Sequence, residues 1–364
     1  MEKIVLSGIN LHTGGTLTIY KEMVRELIRL HINDKYEVIC FVYKKELFDE
    51  FMDYVKIIEI PEARKNYFIR LYYENIYFNK YSRNNNIYIW ISVQDITPRV
   101  KCKKLYTYCH NPMMFYKVKI KEIKYAKRLF IFSLLYKYVY RMNIHKNTYV
   151  IVQQNWIREV FEKLYKMENI LVARPKFENR IINNINENNE EYKFVYASQA
   201  TFFKNFELIC KAAEILIHRG IDEFCVTLTI DGTESLYSHD IYERYKHITQ
   251  INWIGFVTQE EVFELYGKSD CLIFPSKLET WGLPISEYEC TGKPMIVSNL
   301  PYAYETVGNY DKVCFVDPYN EKELADFMEK CINGDNIFTT NKKQRTNGPE
   351  VNNWNEFWNF IMQE

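Results

Sequence analysis

Short apolar runs separated by amphipathic stretches set the rhythm of this chain. Lys3–Gly8 (KIVLSG) reads as a buried strand. Met23, Val24, Leu27, Ile28 and Leu30 then give one apolar face to a helix from about Thr16 to Ile32. Further strands are predicted at Tyr36–Tyr43, Val55–Ile60, Asn86–Ser92, Leu105–Cys109, Thr148–Gln153 and Ile170–Ala173, and a helix at Ile157–Lys166. The rhythm resumes with strands Lys193–Ala197, Cys225–Ile230, Cys271–Phe274, Met295–Val297 and Val313–Val316, and a strand and turn at Trp253–Val257. Helices Phe206–His218 and Gln259–Lys268 fall between them, Lys322–Cys331 follows, and Trp354, Phe357, Trp358 and Ile361 recur at helical spacing further on. Strands alternating with helices imply parallel sheets covered on both faces, the α/β class. Asn179–Tyr192 (NRIINNINENNEEY), rich in Asn and Glu and poor in large core groups, reads as an exposed linker.

Composition sharpens this picture in three places. A length of 364 residues suggests two domains, and 47% hydrophobic content supplies two cores. No run approaches the ~20 apolar residues of a spanning helix, and Met1-Glu2-Lys3 leads into a strand with no signal-peptide core. Nine scattered cysteines without a C-x-x-C pair predict reduced thiols and a cytoplasmic setting.

The zero net charge hides a division. Residues 1–175 hold 30 Lys+Arg and 17 Asp+Glu, a net of +13; residues 176–364 hold 17 and 30, a net of −13. Opposed halves suggest different partners, and a basic half suits an anionic membrane surface, whereas no nucleic-acid module is present. Residues 117–146 concentrate nine basic groups against the single acid Glu122, interleaved with Phe130, Phe132, Tyr136, Tyr138 and Tyr140. Such a segment predicts either an interfacial element or an ordinary helix with a solvated basic face.

The stretch from Cys271 to Asn299 carries the chemistry. A buried strand is stopped by Pro275-Ser276, a loop holds Glu279, and Gly282-Leu283-Pro284 opens a helix that bears Glu287 and ends at Thr291-Gly292-Lys293-Pro294. A strand, a glycine-bearing loop and a helix start bring free amides together, an arrangement suited to anions. The pattern E-x-x-G-L-P-x-x-E-x-x-x-x-G-x-P resembles the signature of family 4 glycosyltransferases of the GT-B fold.

That resemblance implies two Rossmann-like domains facing a central cleft: 1–175 on the acceptor side, a linker at 176–192, and 193–351 for the nucleotide sugar. Residues 352–364 would form a helix crossing back to the first domain. Glu287 would hold the donor's ribose and Glu279 would face the transferred sugar. Backbone at Gly282, Leu283 and Pro284 would meet the distal phosphate, and Lys204 would grip the diphosphate. Gly232 would lie near phosphate and base, and Phe256 and Val257 near the base. Gly14-Gly15 would let backbone approach the phosphates from the first domain. His110, with His12 as a rival, would reach the donor sugar's hydroxyls. The chain departs from the family where an arginine is expected shortly before Lys204: Gln199 and Thr201 occupy the candidate places. Arg174 or another first-domain group would have to compensate.

The implied reaction moves a hexose or related sugar from a UDP-, GDP- or dTDP-linked donor to a lipid-linked or saccharide acceptor, with retention. It would serve surface polysaccharide synthesis on the inner face of the membrane, with peripheral contact through 117–146. No cofactor or metal is expected, since no D-x-D motif stands in a loop. A retaining glycosidase needs its two carboxyls about 5–5.5 Å apart, whereas Glu279 and Glu287 would be about 12 Å apart if both were helical. A sugar-nucleotide epimerase of the same fold and a non-catalytic scaffold stay open as alternatives.

Overall fold

A computed structural model gives the fold and describes residues 1–125, 127–174, 191–336, 338, 339, 341 and 347–363. The expected linker lies outside these apart from Glu191 and Tyr192. The strands are β1 Lys3–Gly8, β2 Glu37–Val42, β3 Lys56–Glu59, β4 Ile87–Ser92, β5 Lys104–Cys109, β6 Tyr149–Val152 and β7 Ile170–Ala173. They continue with β8 Tyr192–Tyr196, β9 Phe224–Leu228, β10 Ile251–Trp253, β11 Cys271–Phe274, β12 Met295–Ser298, β13 Val313–Val316 and β14 Glu350–Val351. The chain divides into two compact units. The first holds Met1–Met114, Ile131–Lys176 and Thr346–Glu364; the second holds Phe115–Phe130 and Phe177–Arg345.

The first unit is built on an eight-stranded parallel sheet in the order β14-β7-β6-β5-β4-β1-β2-β3. Its inner strands are largely apolar because successive side chains enter two separate cores. In β1, Ile4 and Leu6 join one cluster with Val38, Cys40 and Val42 of β2, while Val5 joins the other with Ile39 and Phe41. Helix Gly14–Arg29 caps the first cluster with Tyr20, Met23, Val24 and Leu27. Gly8 permits this packing: a Cβ there would sit 2.5 Å from the Tyr20 ring.

The end of the chain completes the same core. β14 pairs in parallel with β7, and helix Trp354–Gln363 adds Trp354, Phe357, Trp358 and Ile361. The Trp358 indole donates to the Met23 carbonyl at 2.9 Å. Buried Arg158 holds the approach to β14 by donating to the carbonyls of Asn347 (2.7 Å) and Pro349.

The second unit has six parallel strands in the order β10-β9-β8-β11-β12-β13. Counted along the unit this is 3-2-1-4-5-6, the doubly wound order whose direction reverses between β8 and β11. Ligands of such sheets bind outside the carboxyl ends at that reversal. The first unit reverses likewise between β1 and β4.

The strand and turn expected at Trp253–Val257 are present with the strand beginning earlier: β10 is Ile251–Trp253, and Ile254–Val257 is loop, with Gly255 at φ 72°. Residues 117–146 form more than one element. Phe115–Phe130 cluster with the second unit, where Ile120–Glu122 is a 3-10 turn and Tyr125 stacks edge-on to Tyr237. Helix Lys127–Arg141 follows; its Tyr136 and Tyr140 are buried, whereas its Tyr138 is 57% exposed. No helix among the described residues is long and apolar enough to cross a membrane.

Candidate functional site

At the reversal in the second unit, two loops are stitched together by backbone. β8 runs out at Tyr196, and a 3-10 turn Phe202–Lys204 precedes helix Phe206–His218. Asn205, left-handed at φ 65°, donates its amide to the carbonyls of Pro275 (3.1 Å) and Pro318 (2.8 Å). The loop after β11 returns the contact: the Lys277 N–H and the Ser276 hydroxyl both donate to the Phe203 carbonyl, at 2.8 and 3.4 Å. The Tyr196 hydroxyl fixes the Lys204 carbonyl at 2.7 Å, and the Tyr302 hydroxyl fixes that of Ser276 at 2.7 Å.

This framework delivers Lys204 and Glu279, 75 positions apart, into an ion pair of 2.5 Å. Their side chains are 15% and 13% exposed. The ammonium lies 5.8 Å from the centre of the Phe274 ring. A pair so placed keeps a compact cation fixed at the carboxyl edge of the sheet, within reach of an anion.

Gly282 sits at φ 94°, a conformation that favours glycine, and leads into helix Leu283–Glu289 with Pro284 in its first turn. Glu287 is half-buried on that helix, beside Tyr266; burial first and the Glu287 carboxylate second push the Tyr266 hydroxyl well above its ordinary value. Glu279 and Glu287 thus occupy different elements. Beyond β9, Gly232 at φ 92° is required twice over, since a Cβ would lie 2.9 Å from the Tyr242 Cβ. Gly255 closes on Asp231 in the same manner, which joins the loops after β9 and β10. Phe256 beside it is 87% exposed and Val257 is half-buried.

A residue not singled out from sequence is Lys277, two positions before Glu279. It lies 3.8 Å from Glu122 and over the Tyr319 ring at 5.6 Å. Burial lowers its ammonium, with Glu122 pulling the other way. It puts a second cation on the stitched loops of a unit that lacks the expected arginine. Its spacing from Glu279 was the available signal.

The first unit holds the remaining expected residues. Gly14, at φ 72° with open space around it, is the first residue of its helix rather than part of the preceding loop. Gly15 follows it, exposed. His12 is exposed and meets an Arg64 nitrogen at 3.1 Å. His110 follows β5, its side chain only 7% exposed, with Nε2 3.7 Å from Asp95 Oδ2 and Nδ1 without a hydrogen-bond partner among the described residues. Burial lowers the imidazole from its ordinary value, Asp95 raises it and Arg70 lowers it further, so it is neutral near pH 7.

Asp95 organises this edge, although the sequence reading passed over it. It is buried, at φ 71°, between β4 and β5. Its Oδ1 accepts the backbone amides of His110 (2.8 Å) and Asn111 (3.0 Å) and the Tyr140 hydroxyl (2.9 Å), and its Oδ2 accepts the Tyr136 hydroxyl (3.0 Å). Behind it, Arg70 donates to the Gln94 carbonyl, and the Gln94 amide donates to Glu74 Oε1.

Burial pushes the Glu74 carboxyl up to about 8, against Arg70 and the Gln94 bond, which lower it. The native state therefore keeps a proton that the unfolded chain releases around its ordinary 4.5. This carboxyl's contribution to stability is full below that value and is lost as pH rises through about 8. Glu74→Gln, a neutral mimic, should flatten the fall in melting temperature between about pH 5 and 9. Thermal melts across that range check it, and parallel curves for both proteins would refute it.

The fold these units define is GT-B, which is shared with solved glycosyltransferases. A glycosyltransferase from Rickettsia africae ESF-5 superposes with a TM-score of 0.64 at 18% identity, covering 91% of this chain and 88% of that one. Sucrose-phosphate synthase from Thermosynechococcus elongatus gives 0.67 at 15%, covering 92% and 90%. Anabaena HepE, solved in complex with UDP and glucose, gives 0.60 at 12%, covering 91% and 90%. No curated protein sequence matches the chain. Residues 177–351 match the family model described as glycosyl transferases group 1, which supports glycosyl transfer as the chemistry. Lys204, Glu279, Glu287, Gly232, Gly282 and Phe256 all fall within that match.

Proposed function

We propose that the chain is a retaining glycosyltransferase that moves a hexose or related sugar from a nucleotide-sugar donor to a lipid-linked or saccharide acceptor, in surface polysaccharide synthesis. The observation that carries this reading is the Lys204–Glu279 pair at the reversal of the second sheet, with Glu287 eight positions on. It stands inside the segment that matches the glycosyl transferase family model. The neighbour solved with UDP and glucose supports a uridine diphosphate sugar as the first donor to try.

In this reading Lys204 offsets the charge of the leaving diphosphate, aided by amides at Gly282 and Leu283. Glu287 accepts from the ribose hydroxyls and Glu279 from the transferred sugar. Gly232, Phe256 and Val257 border the base. The neutral imidazole of His110 meets a donor-sugar hydroxyl, and Gly14 and Gly15 leave room for phosphate. The donor's own phosphate takes the proton of the acceptor hydroxyl on the same face of the sugar. No step in this scheme asks for a metal.

The test is donor binding by calorimetry in EDTA with UDP, GDP and dTDP. One nucleotide should bind, and Glu287→Ala should weaken it at least about tenfold, the loss of a charge-assisted pair of bonds. Unchanged binding in that variant would remove Glu287 from the site. Diphosphate released only when an acceptor is supplied separates transfer from epimerisation of the donor.

A further inference from the structure

Between Asn66 and Asn84 the first unit carries a continuous helical stretch: Tyr67–Tyr72, a π turn Tyr73–Tyr77, and Phe78–Arg83. Asn66 caps it, its side chain accepting from the Ile69 amide at 2.9 Å. Residues four apart share a helix face, and here two such rows run out of step. Arg70, Glu74, Phe78 and Ser82 form the inner row, all buried. Phe68, Tyr72 and Ile76 form the outer row and are 85%, 49% and 58% exposed.

The charges on this stretch are as sorted as the apolar groups. From Lys65 to Arg83 the only acid is Glu74, which is fully buried, and Arg70 is buried with it. The exposed charges are Lys65 before the outer row and Lys80 and Arg83 after it, all cationic. Residues 1–175 as a whole hold 30 basic against 17 acidic groups. An aromatic and aliphatic row in water, with cations at both ends and no exposed acid between, matches an amphipathic helix lying in a lipid headgroup layer. Rings enter the acyl boundary there, and long basic side chains reach back to phosphates.

We propose that the Phe68–Tyr72–Ile76 face docks the first unit on an anionic bilayer surface. The turn after helix Lys127–Arg141 touches this stretch, where the Asn143 amide donates to Asn75 Oδ1 at 3.3 Å, and the helix before it exposes Leu135 and Tyr138. The contact expected of residues 117–146 is thereby centred on a stretch upstream of it. The proposal stands apart from glycosyl transfer, because its test needs no turnover.

The full chain should pellet with phosphatidylcholine vesicles containing phosphatidylglycerol and at least about tenfold less with phosphatidylcholine alone. Phe68→Ser/Tyr72→Ser/Ile76→Ser should lose binding about tenfold or more, and Lys65→Glu/Lys80→Glu/Arg83→Glu should lose the preference for the anionic lipid. Thermal melts of both variants should match the parent, since every altered side chain is exposed. Failure of the parent to pellet, or parental binding by both variants, would overturn the proposal. So would a parent that runs as a dimer and a serine variant that runs as a monomer with vesicle binding intact; the face would then be a self-contact.

Discussion

Lys204→Ala should weaken nucleotide binding by roughly ten- to a hundredfold in the dissociation constant measured calorimetrically with the preferred diphosphate. The size follows from one charge-assisted bond in a mostly buried setting, worth about 1.5–3 kcal/mol. The same change leaves Glu279 without its partner at 13% exposure, and that should cost about 2 kcal/mol of stability once its residual hydration is allowed for. The two effects come apart in the double variant. Lys204→Ala/Glu279→Ala should recover stability in urea unfolding without recovering affinity. Tight binding by the single variant would exclude Lys204 from the diphosphate site, and a double variant no more stable than the single would deny the coupling.

Asp95→Ala is expected to be the most damaging single change for the first unit. It strands two backbone amides and two tyrosine hydroxyls in a buried place. At about 1–3 kcal/mol for each unsatisfied group the sum is a large share of the 5–15 kcal/mol that holds an ordinary domain together. Alanine also tolerates the left-handed backbone at φ 71° poorly. Asp95→Asn keeps an acceptor and the backbone preference, so it should be much milder. Tyr136→Phe and Tyr140→Phe should each cost about 1 kcal/mol. Denaturant unfolding of the four variants ranks them, and an alanine variant within about 1 kcal/mol of the parent would contradict this account.

Most strands were legible because they are buried on both faces and so read as short apolar runs. β1, β7, β11 and β13 have the bounds their sequences suggest. β10 was displaced because Trp253-Ile254 looks like strand, yet the turn at Gly255 cuts it short. Local chemistry was legible where it lies within one loop and helix, as at Glu279, Gly282 and Glu287. The pairing of Glu279 with Lys204 was not, because it depends on Asn205 and Phe203 joining two distant loops. Asp95 was invisible for the same reason: its tyrosine partners come 41 and 45 residues later. Composition alone did not divide residues 117–146 into elements, since dense charge and aromatic content do not fix where a helix starts or which face is covered.

Because β14 and helix Trp354–Gln363 lie against β7 and helix Gly14–Arg29, the first core joins segments as far apart as Met23 and Trp358, 335 positions along the chain. A ribosome therefore releases everything needed for the six-stranded sheet before Trp358 emerges to meet Met23. During translation the earlier-made half waits with one flank of its sheet uncovered, while the later-made half is free to settle.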